Sequence, residues 1–115
     1  MDAVRGLRMD VGMRKETKAT MISDETRRIV WQRDHGICIF CKRAGRAEAH
    51  IVRRSQGGLG IPENIVTACR ECHMALDEGR DRKYYQAKAE AYMKSHYPNW
   101  DRKKLTYRKY RTEDI

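Results

Sequence analysis

The hydrophobic and polar positions of the chain predict short elements separated by loops. Ser23 is a typical helix N-cap, and the two acidic residues that follow it suit the positive end of a helix dipole. Ile29 and Val30 would form the inner face of this helix, and Gly36 is a suitable residue to end it. The first predicted element is therefore a helix between Ser23 and Gly36.

Two short strands are predicted in the middle of the chain. Residues 47–52 alternate weakly and include two β-branched residues, and residues 65–67 are Ile, Val and Thr. The segment 53–60 between them ends in a glycine-rich run and must be a loop. Two strands joined across such a loop form a hairpin, and we expect a helix to open near Glu71.

A longer helix is predicted further along the chain. Residues 81–96 are rich in helix formers, and Pro98 would end the helix. Its inner stripe is made of residues at helical spacing, namely Tyr85, Ala89, Tyr92 and Met93. Helices combined with one small hairpin indicate the α+β class.

The two ends of the chain are basic. Residues 1–21 lack hydrophobic periodicity and are predicted to be a flexible arm that orders on DNA. Residues 98–115 form a basic C-terminal extension, in which Tyr107 and Tyr110 alternate with lysine and arginine. These tyrosines would either stack on nucleic acid or pack against the preceding helix.

Composition and charge narrow the class of protein. The chain has 115 residues, 40% of them hydrophobic and 36% charged, so it is one domain in which a structural metal ion would add stability. Its 25 Lys and Arg against 16 Asp and Glu give a net charge of +9, which favours a polyanion such as DNA as partner. The alternative is a protein that is basic without binding nucleic acid. Neither a signal peptide nor a membrane span is recognisable, so we expect a reducing cytosol and no membrane partner.

Four cysteines form two Cys-x-x-Cys pairs, Cys38 with Cys41 and Cys69 with Cys72. Two such pairs can supply the thiolates of a tetrahedral structural Zn²⁺ site, which would tie two distant segments together. In a reducing compartment this is favoured over disulfides. The alternatives are a redox-active pair or a disulfide-bonded knot.

The residues around these pairs carry a family resemblance. The runs RDHGICIFC, AEAHIVRRSQGG and PENIVTACRECH, from about Arg33 to Asp77, resemble the HNH endonuclease family. The runs GGLGIPENIVT and SHYPNW are similar to small phage-associated members. The resemblance implies a ββα-metal finger, in which a hairpin is crossed by a helix and a single catalytic metal ion lies between them. Residues 22–97 would form this nuclease domain.

The resemblance also implies roles for individual residues. His50 would be the general base that activates water, which requires a pKa near neutrality. Asn64 would brace the loop and help to orient the base, although asparagine is also common in turns. His73 would be a ligand of the catalytic ion. Asp77 lies four residues later on the same helix face and could be a second ligand, although an acidic residue early in a helix is also ordinary.

The sequence departs from the family at one position. Many members carry Asp or His directly before the base, where it binds the metal ion, and this chain has Ala49. Glu48 could replace that ligand only if the strand twists or bulges. Arg53 and Arg54 follow the predicted strand that carries His50. The resemblance implies that arginines at these positions contact phosphates, which arginine can bind through two hydrogen bonds at once.

The predicted function is DNA phosphodiester hydrolysis that depends on a divalent ion such as Mg²⁺, Mn²⁺, Ni²⁺ or Zn²⁺. The resemblance implies products with 5′-phosphate and 3′-hydroxyl ends and a finger that docks in the minor groove. A monomer would nick, and a homodimer or a phage packaging or DNA-processing protein would be needed for double-strand breaks. The expected setting is the cytoplasm of a bacterial or phage-infected host cell. The alternative is a zinc-stabilised nucleic-acid-binding module that has lost cleavage.

Overall fold

The computed structural model describes residues 15–107, with side chains from residue 17 onward. The helices are α1 (Lys15–Thr20), α2 (Asp24–Asp34), α3 (Arg70–Glu78) and α4 (Arg82–His96), and the strands are β1 (Arg46–His50) and β2 (Ile65–Ala68). Short 3₁₀ turns occur at Arg54–Gln56, Pro62–Asn64 and Arg102–Leu105. This arrangement confirms the predicted α+β class. No helix among these residues combines the length and apolar character that crossing a membrane requires.

Helix α2 begins and ends close to the predicted positions. The Ser23 hydroxyl accepts a hydrogen bond from the Thr26 amide at 3.1 Å, and the chain turns left-handed at His35 (φ 60°) and Gly36 (φ 66°). Val30 is fully buried as predicted. The prediction for Ile29 is wrong, because its side chain is 40% exposed. Only one of two adjacent helix positions can point directly at the hairpin.

The predicted hairpin is present, and it contains a bulge. Strands β1 and β2 are antiparallel, with Arg46 opposite Ala68 and His50 opposite Ile65. The register shifts between Ala47 and Ala49, so Glu48 is the extra residue of a β-bulge. The bulge leaves Glu48 and His50 partly exposed, while both alanines stay buried.

Helix α3 begins where the second cysteine pair was predicted to open a helix. The Cys69 sulfur caps it by accepting a hydrogen bond from the Cys72 amide at 3.5 Å. Leu76 is fully buried and belongs to the main hydrophobic core. Helix α4 contributes Ala89 and Met93 to the same core, as the predicted stripe requires. Pro98 lies just after its end.

The segment after α4 contributes two residues to the main hydrophobic core. Trp100 and Leu105 are buried in the main core at 9% and 2% exposure. The Leu59 amide donates to the Leu105 carbonyl at 2.7 Å, which joins this segment to the loop of residues 53–60, here called the glycine loop. Tyr107 is half-buried, and Tyr110 lies outside the described residues. Lys103 and Lys104 are exposed, whereas Leu105 beside them packs into the core.

The predicted N-terminal arm also differs from the structure in part. Residues 15–20 form helix α1, whose last residue, Thr20, is only 3% exposed. The Gly60 amide donates to the Ala19 carbonyl at 3.0 Å, so this helix is held against the glycine loop. Residues 1–14 lie outside the described part of the chain. Tertiary contacts order α1 although its sequence carries no hydrophobic period.

Arg33 and Asp34 form a buried ion pair at the end of α2, with Nε and Oδ1 2.7 Å apart. The Asp34 carboxylate also accepts from the Tyr92 hydroxyl at 2.6 Å and from the Thr67 amide at 2.9 Å. Burial alone would raise the pKa of Asp34, but hydrogen bonds from Arg33 and Tyr92 outweigh it and hold the pKa below its ordinary value. The pair therefore connects α2, β2 and α4.

Candidate active site and metal centre

The four cysteines meet in space although 28 residues separate Cys41 from Cys69. Their sulfur atoms all lie within 4.8 Å of one another, and none is in a disulfide. Cys41 and Cys69 are 3.5 Å apart at their sulfurs. A tetrahedron with Zn–S bonds of about 2.3 Å has sulfurs roughly 3.8 Å apart, so the donor set fits a Zn²⁺ ion. These residues can hold a structural metal ion such as zinc.

Arg43 stabilises the thiolate form at this centre. Its Nε lies 3.4 Å from the Cys41 sulfur, and one of its terminal nitrogens lies 3.3 Å from a Glu71 carboxylate oxygen. The hydrogen bond from Arg43 lowers the pKa of Cys41 to about 6. Thiolates, not thiols, bind zinc, so this guanidinium favours the metal-binding form of Cys41, whereas burial raises the pKa of Cys69 and Cys72. No sequence pattern predicted this role, because Arg43 has the appearance of an ordinary basic surface residue.

A cleft of about 570 Å³ opens between the end of β1 and one face of α3. Its lining residues are Met21, Ile22, Arg27, Glu48, His50, Arg53, Arg54, Ser55, His73 and Asp77. The structure therefore brings His50, His73 and Asp77 to one cavity. Asn64 is not part of the lining.

The ring orientation of His50 is fixed by a backbone group. His50 Nε2 lies 2.9 Å from the Thr20 carbonyl oxygen. A carbonyl only accepts, so Nε2 carries the hydrogen, and in the neutral ring Nδ1 is the basic nitrogen. Burial lowers the pKa of His50 below its ordinary value, with a further contribution from nearby Arg54, and the hydrogen bond to Thr20 opposes this only in part. A neutral imidazole with one free basic nitrogen suits proton abstraction.

Asn64 is fully buried and braces the loop that follows β1. Its Oδ1 accepts from the Val52 amide at 2.9 Å, and its Nδ2 donates to the Leu59 carbonyl at 2.8 Å and to the Val52 carbonyl at 3.2 Å. The Asn64 carbonyl also accepts from the Ile51 amide at 2.8 Å. All of these contacts fix backbone next to His50. Each of these partners is a backbone group, and the bracing role of Asn64 stays a prediction.

His73 and Asp77 occupy the cleft side of α3, where both are half-buried. An imidazole and a carboxylate one helical turn apart can hold a divalent cation and leave its other positions open to water and phosphate. Among the residues with described side chains, the four cysteines are the one group of three or more His, Cys, Asp or Glu that converges. An ion bound on α3 would therefore have two protein donors and open positions.

Ala49 lies directly before His50, at the position where many HNH endonucleases carry a metal ligand. Ala49 is fully buried in the main core, so a side chain there faces away from the cleft. Glu48, the bulged residue, does line the cleft, but its carboxylate pairs with Arg27 at 3.2 Å. The bulge that a substitute ligand needs is therefore present, while the Glu48 carboxylate is engaged by an arginine that the sequence analysis did not single out.

The arginine pair after β1 faces the same cleft. Arg53 lines it, and within the described residues its Nε is buried without a hydrogen-bond acceptor. A buried guanidinium nitrogen without an acceptor is costly, and a phosphate oxygen would supply one. Arg54 is more exposed, and its Nε donates to the Thr20 hydroxyl at 3.4 Å.

The hairpin, the crossing helix α3 and the histidine cleft beside a four-cysteine centre agree with the ββα arrangement that the resemblance implied. Residues 38–88 match the family model described as HNH endonuclease. This match runs from the first cysteine into α4 and includes His50, Asn64 and His73. The match covers less than half of the chain, and it agrees with the resemblance that the motifs predicted. A search of curated proteins finds no match.

Proposed function

We propose that this chain is a metal-dependent endonuclease that hydrolyses DNA phosphodiester bonds. The observation that carries the proposal is the single cleft shared by His50, His73, Asp77 and Arg53. The match to the HNH endonuclease model supports nuclease chemistry, and the net charge of +9 supports a nucleic-acid substrate.

His50 is the general base in this proposal. Its Nε2 hydrogen is held by the Thr20 carbonyl, so Nδ1 is free to take a proton from the attacking water. Asn64 acts indirectly, because it fixes the backbone of Val52 beside the strand that carries His50. The depressed pKa keeps His50 neutral at the pH of the cell.

His73 and Asp77 hold the catalytic divalent ion in this proposal. A bound divalent ion neutralises phosphate charge and stabilises the leaving 3′ oxygen. Arg53 and Arg54 bind the scissile phosphate and its neighbour, which places the phosphorus between the base on β1 and the donors on α3. The Arg53 nitrogen without an acceptor supports this assignment.

The products would carry 5′-phosphate and 3′-hydroxyl ends. Each chain has one such cleft among its described residues, so a monomer would nick one strand. A homodimer or a phage packaging or DNA-processing protein would be required for a double-strand break. The four reduced thiols fit a cytoplasmic setting.

Resealing by DNA ligase tests the reaction directly. Plasmid nicked by the zinc-loaded chain with an added divalent ion should be closed by ligase without prior kinase or phosphatase treatment. A nick that ligase closes only after end repair would show a different cleavage chemistry. A chain that binds plasmid and never nicks it would favour the second candidate, a binding module, for which the alanine before the base is the motivating observation.

Activity should be lost on the acidic side at a lower pH than it would be for a histidine with an ordinary pKa. Activity requires neutral His50 and falls as pH drops through its pKa, which burial and Arg54 depress. The midpoint in kcat/KM should therefore lie below roughly 6.5. Arg54→Gln should move the midpoint upward, while Arg54→Lys keeps the charge and should move it less. A limb centred above 7 in the unmodified chain would contradict this assignment.

The arginine pair should dominate the salt dependence of DNA binding. Arg53→Gln and Arg54→Gln should each reduce the slope of log K against log salt by about 0.9 for one lost phosphate contact. Binding is measured by fluorescence anisotropy in a His50→Gln background, which prevents cleavage. Arg80 is exposed and outside the cleft, so Arg80→Gln is the matched control and should change the slope less. Equal slopes for all three variants would remove Arg53 and Arg54 from the phosphate site.

A further inference from the structure

The segment of residues 19–22, here called the strap, closes one side of the cleft. The Thr20 carbonyl accepts from His50 Nε2 at 2.9 Å, and Met21 and Ile22 are part of the cleft lining. The strap precedes the segment that matches the HNH endonuclease model, which begins at residue 38. A group outside the family match therefore contacts the proposed general base.

Three independent contacts hold the strap in place. The Gly60 amide donates to the Ala19 carbonyl at 3.0 Å, and the Thr20 hydroxyl accepts from Arg54 Nε at 3.4 Å. Ile22 packs against a small buried cluster formed by Val30, Ala47 and Ile65. The strap is thus fixed to the glycine loop, to the arginine pair and to the base of the hairpin.

The packing around Gly60 leaves no space for a side chain. A Cβ at this position would overlap the Met21 carbonyl oxygen, and the Ile22 amide nitrogen would lie 3.1 Å away. Glycine at position 60 is therefore required for the strap to approach the loop closely, not for an unusual backbone conformation. The glycine-rich run, which was predicted only as a loop, is therefore the surface against which the strap packs.

We propose that the strap is a positioning element of the active site, and that Thr20 acts through its carbonyl to hold His50 in the Nε2–H tautomer. This rests on the function proposed above. Without the carbonyl, the neutral ring could place its hydrogen on Nδ1, and that nitrogen would then have no basic lone pair with which to accept a proton.

A proline at position 21 tests the carbonyl without touching a cleft side chain that takes part in the chemistry. A residue before proline is disfavoured in the helical conformation, so Met21→Pro forces Thr20 out of α1 and turns its carbonyl away. Met21→Ala removes the same side chain and leaves the backbone helical, which makes it the matched control. Gly60→Ala is a second, independent variant that displaces the strap from the loop side.

The readout is the ¹⁵N chemical shifts of the His50 ring, together with kcat for plasmid nicking. We expect the Nε2–H tautomer in the unmodified chain and in Met21→Ala. We expect mixed tautomers in Met21→Pro and Gly60→Ala, with kcat lower by roughly 10- to 100-fold, as for a catalytic group displaced by about 1 Å. Zinc content and circular dichroism confirm that each variant is folded.

The two readouts separate this proposal from the nuclease assignment. If Met21→Pro and Gly60→Ala both keep a single Nε2–H tautomer and full activity, the strap has no positioning role. If the unmodified chain does not cut DNA, the nuclease assignment fails, while the ring shifts still decide whether the strap fixes the tautomer. An Nδ1–H tautomer in the unmodified chain would overturn the proposal outright.

Discussion

His50→Gln should abolish nicking, with a loss of about 10²- to 10⁴-fold, the usual contribution of a general base. Glutamine can still donate a hydrogen bond to the Thr20 carbonyl, so the strap keeps its partner. What the variant lacks is a nitrogen that can accept a proton near neutral pH. The rate is measured as the initial conversion of supercoiled to open-circular plasmid.

Two further variants show whether the loss is chemical. His50→Ala removes both the base and the hydrogen bond to Thr20, so it should lose as much activity as His50→Gln and also some stability, about 1–3 kcal/mol for an unpaired carbonyl. His96→Ala is the matched control, since His96 is exposed on α4 and packs on Tyr92 outside the cleft. Persistent nicking by His50→Gln would mean that another group, or a contaminant, supplies the base.

Removing the cysteine-bound metal should unfold the domain. Structural zinc sites contribute an apparent free energy of about 10–16 kcal/mol in small domains. The net stability of a whole domain is only about 5–15 kcal/mol. Cys38 and Cys72 are buried in the main core, and Cys69 caps the helix that carries His73. Chelation of the metal ion, or the substitution Cys69→Ser, should therefore unfold the domain and disrupt the cleft that contains His73.

Circular dichroism and Trp100 fluorescence follow this transition. Trp100 is buried against the core, whereas Trp31 is 53% exposed, so a red shift of the buried fluorophore reports loss of packing. Zn²⁺ should restore the signal, and Mg²⁺ should not, because thiolates select the softer ion. A chelated chain that keeps its helices and its buried tryptophan would show that the four cysteines are not a structural metal site.

Local chemistry was enough to predict most elements of this fold. The Ser23 cap, the hairpin around the glycine loop and the helix opened by Cys69 each depend on nearest neighbours in sequence. The two Cys-x-x-Cys pairs predicted that the four sulfur atoms would lie close together, because this spacing is typical of residues that bind one metal ion or form disulfides.

The features that were missed depend on long-range contacts. Ile29 and Val30 are equally hydrophobic, and only the position of the hairpin decides which is buried. Trp100 donates through Nε1 to the Glu63 carbonyl and Leu105 accepts from the Leu59 amide, so their burial depends on these distant contacts rather than on a local pattern. The bulge at Glu48 and its ion pair with Arg27 likewise need the paired strand and α2 in place.

The sequence predicted the side chains that line the candidate site but not the backbone carbonyl that contacts His50. His50, His73 and Asp77 do line one cleft, as the family resemblance implied, although their catalytic roles remain proposals. The Thr20 carbonyl has no sequence signature, because every residue carries one. Its role depends on Gly60, whose missing side chain lets the strap approach the loop.

The most direct test is a divalent-ion titration of plasmid relaxation by the zinc-loaded full chain, beside the His50→Gln variant. Zinc loading is verified first, so that loss of fold is not mistaken for loss of catalysis. We expect no relaxation without added ion, saturable nicking with at least one of Mg²⁺, Mn²⁺, Ni²⁺ or Zn²⁺, and none in the variant. Plasmid that is bound yet stays supercoiled with every ion, or that is nicked equally by His50→Gln, would contradict the central claim.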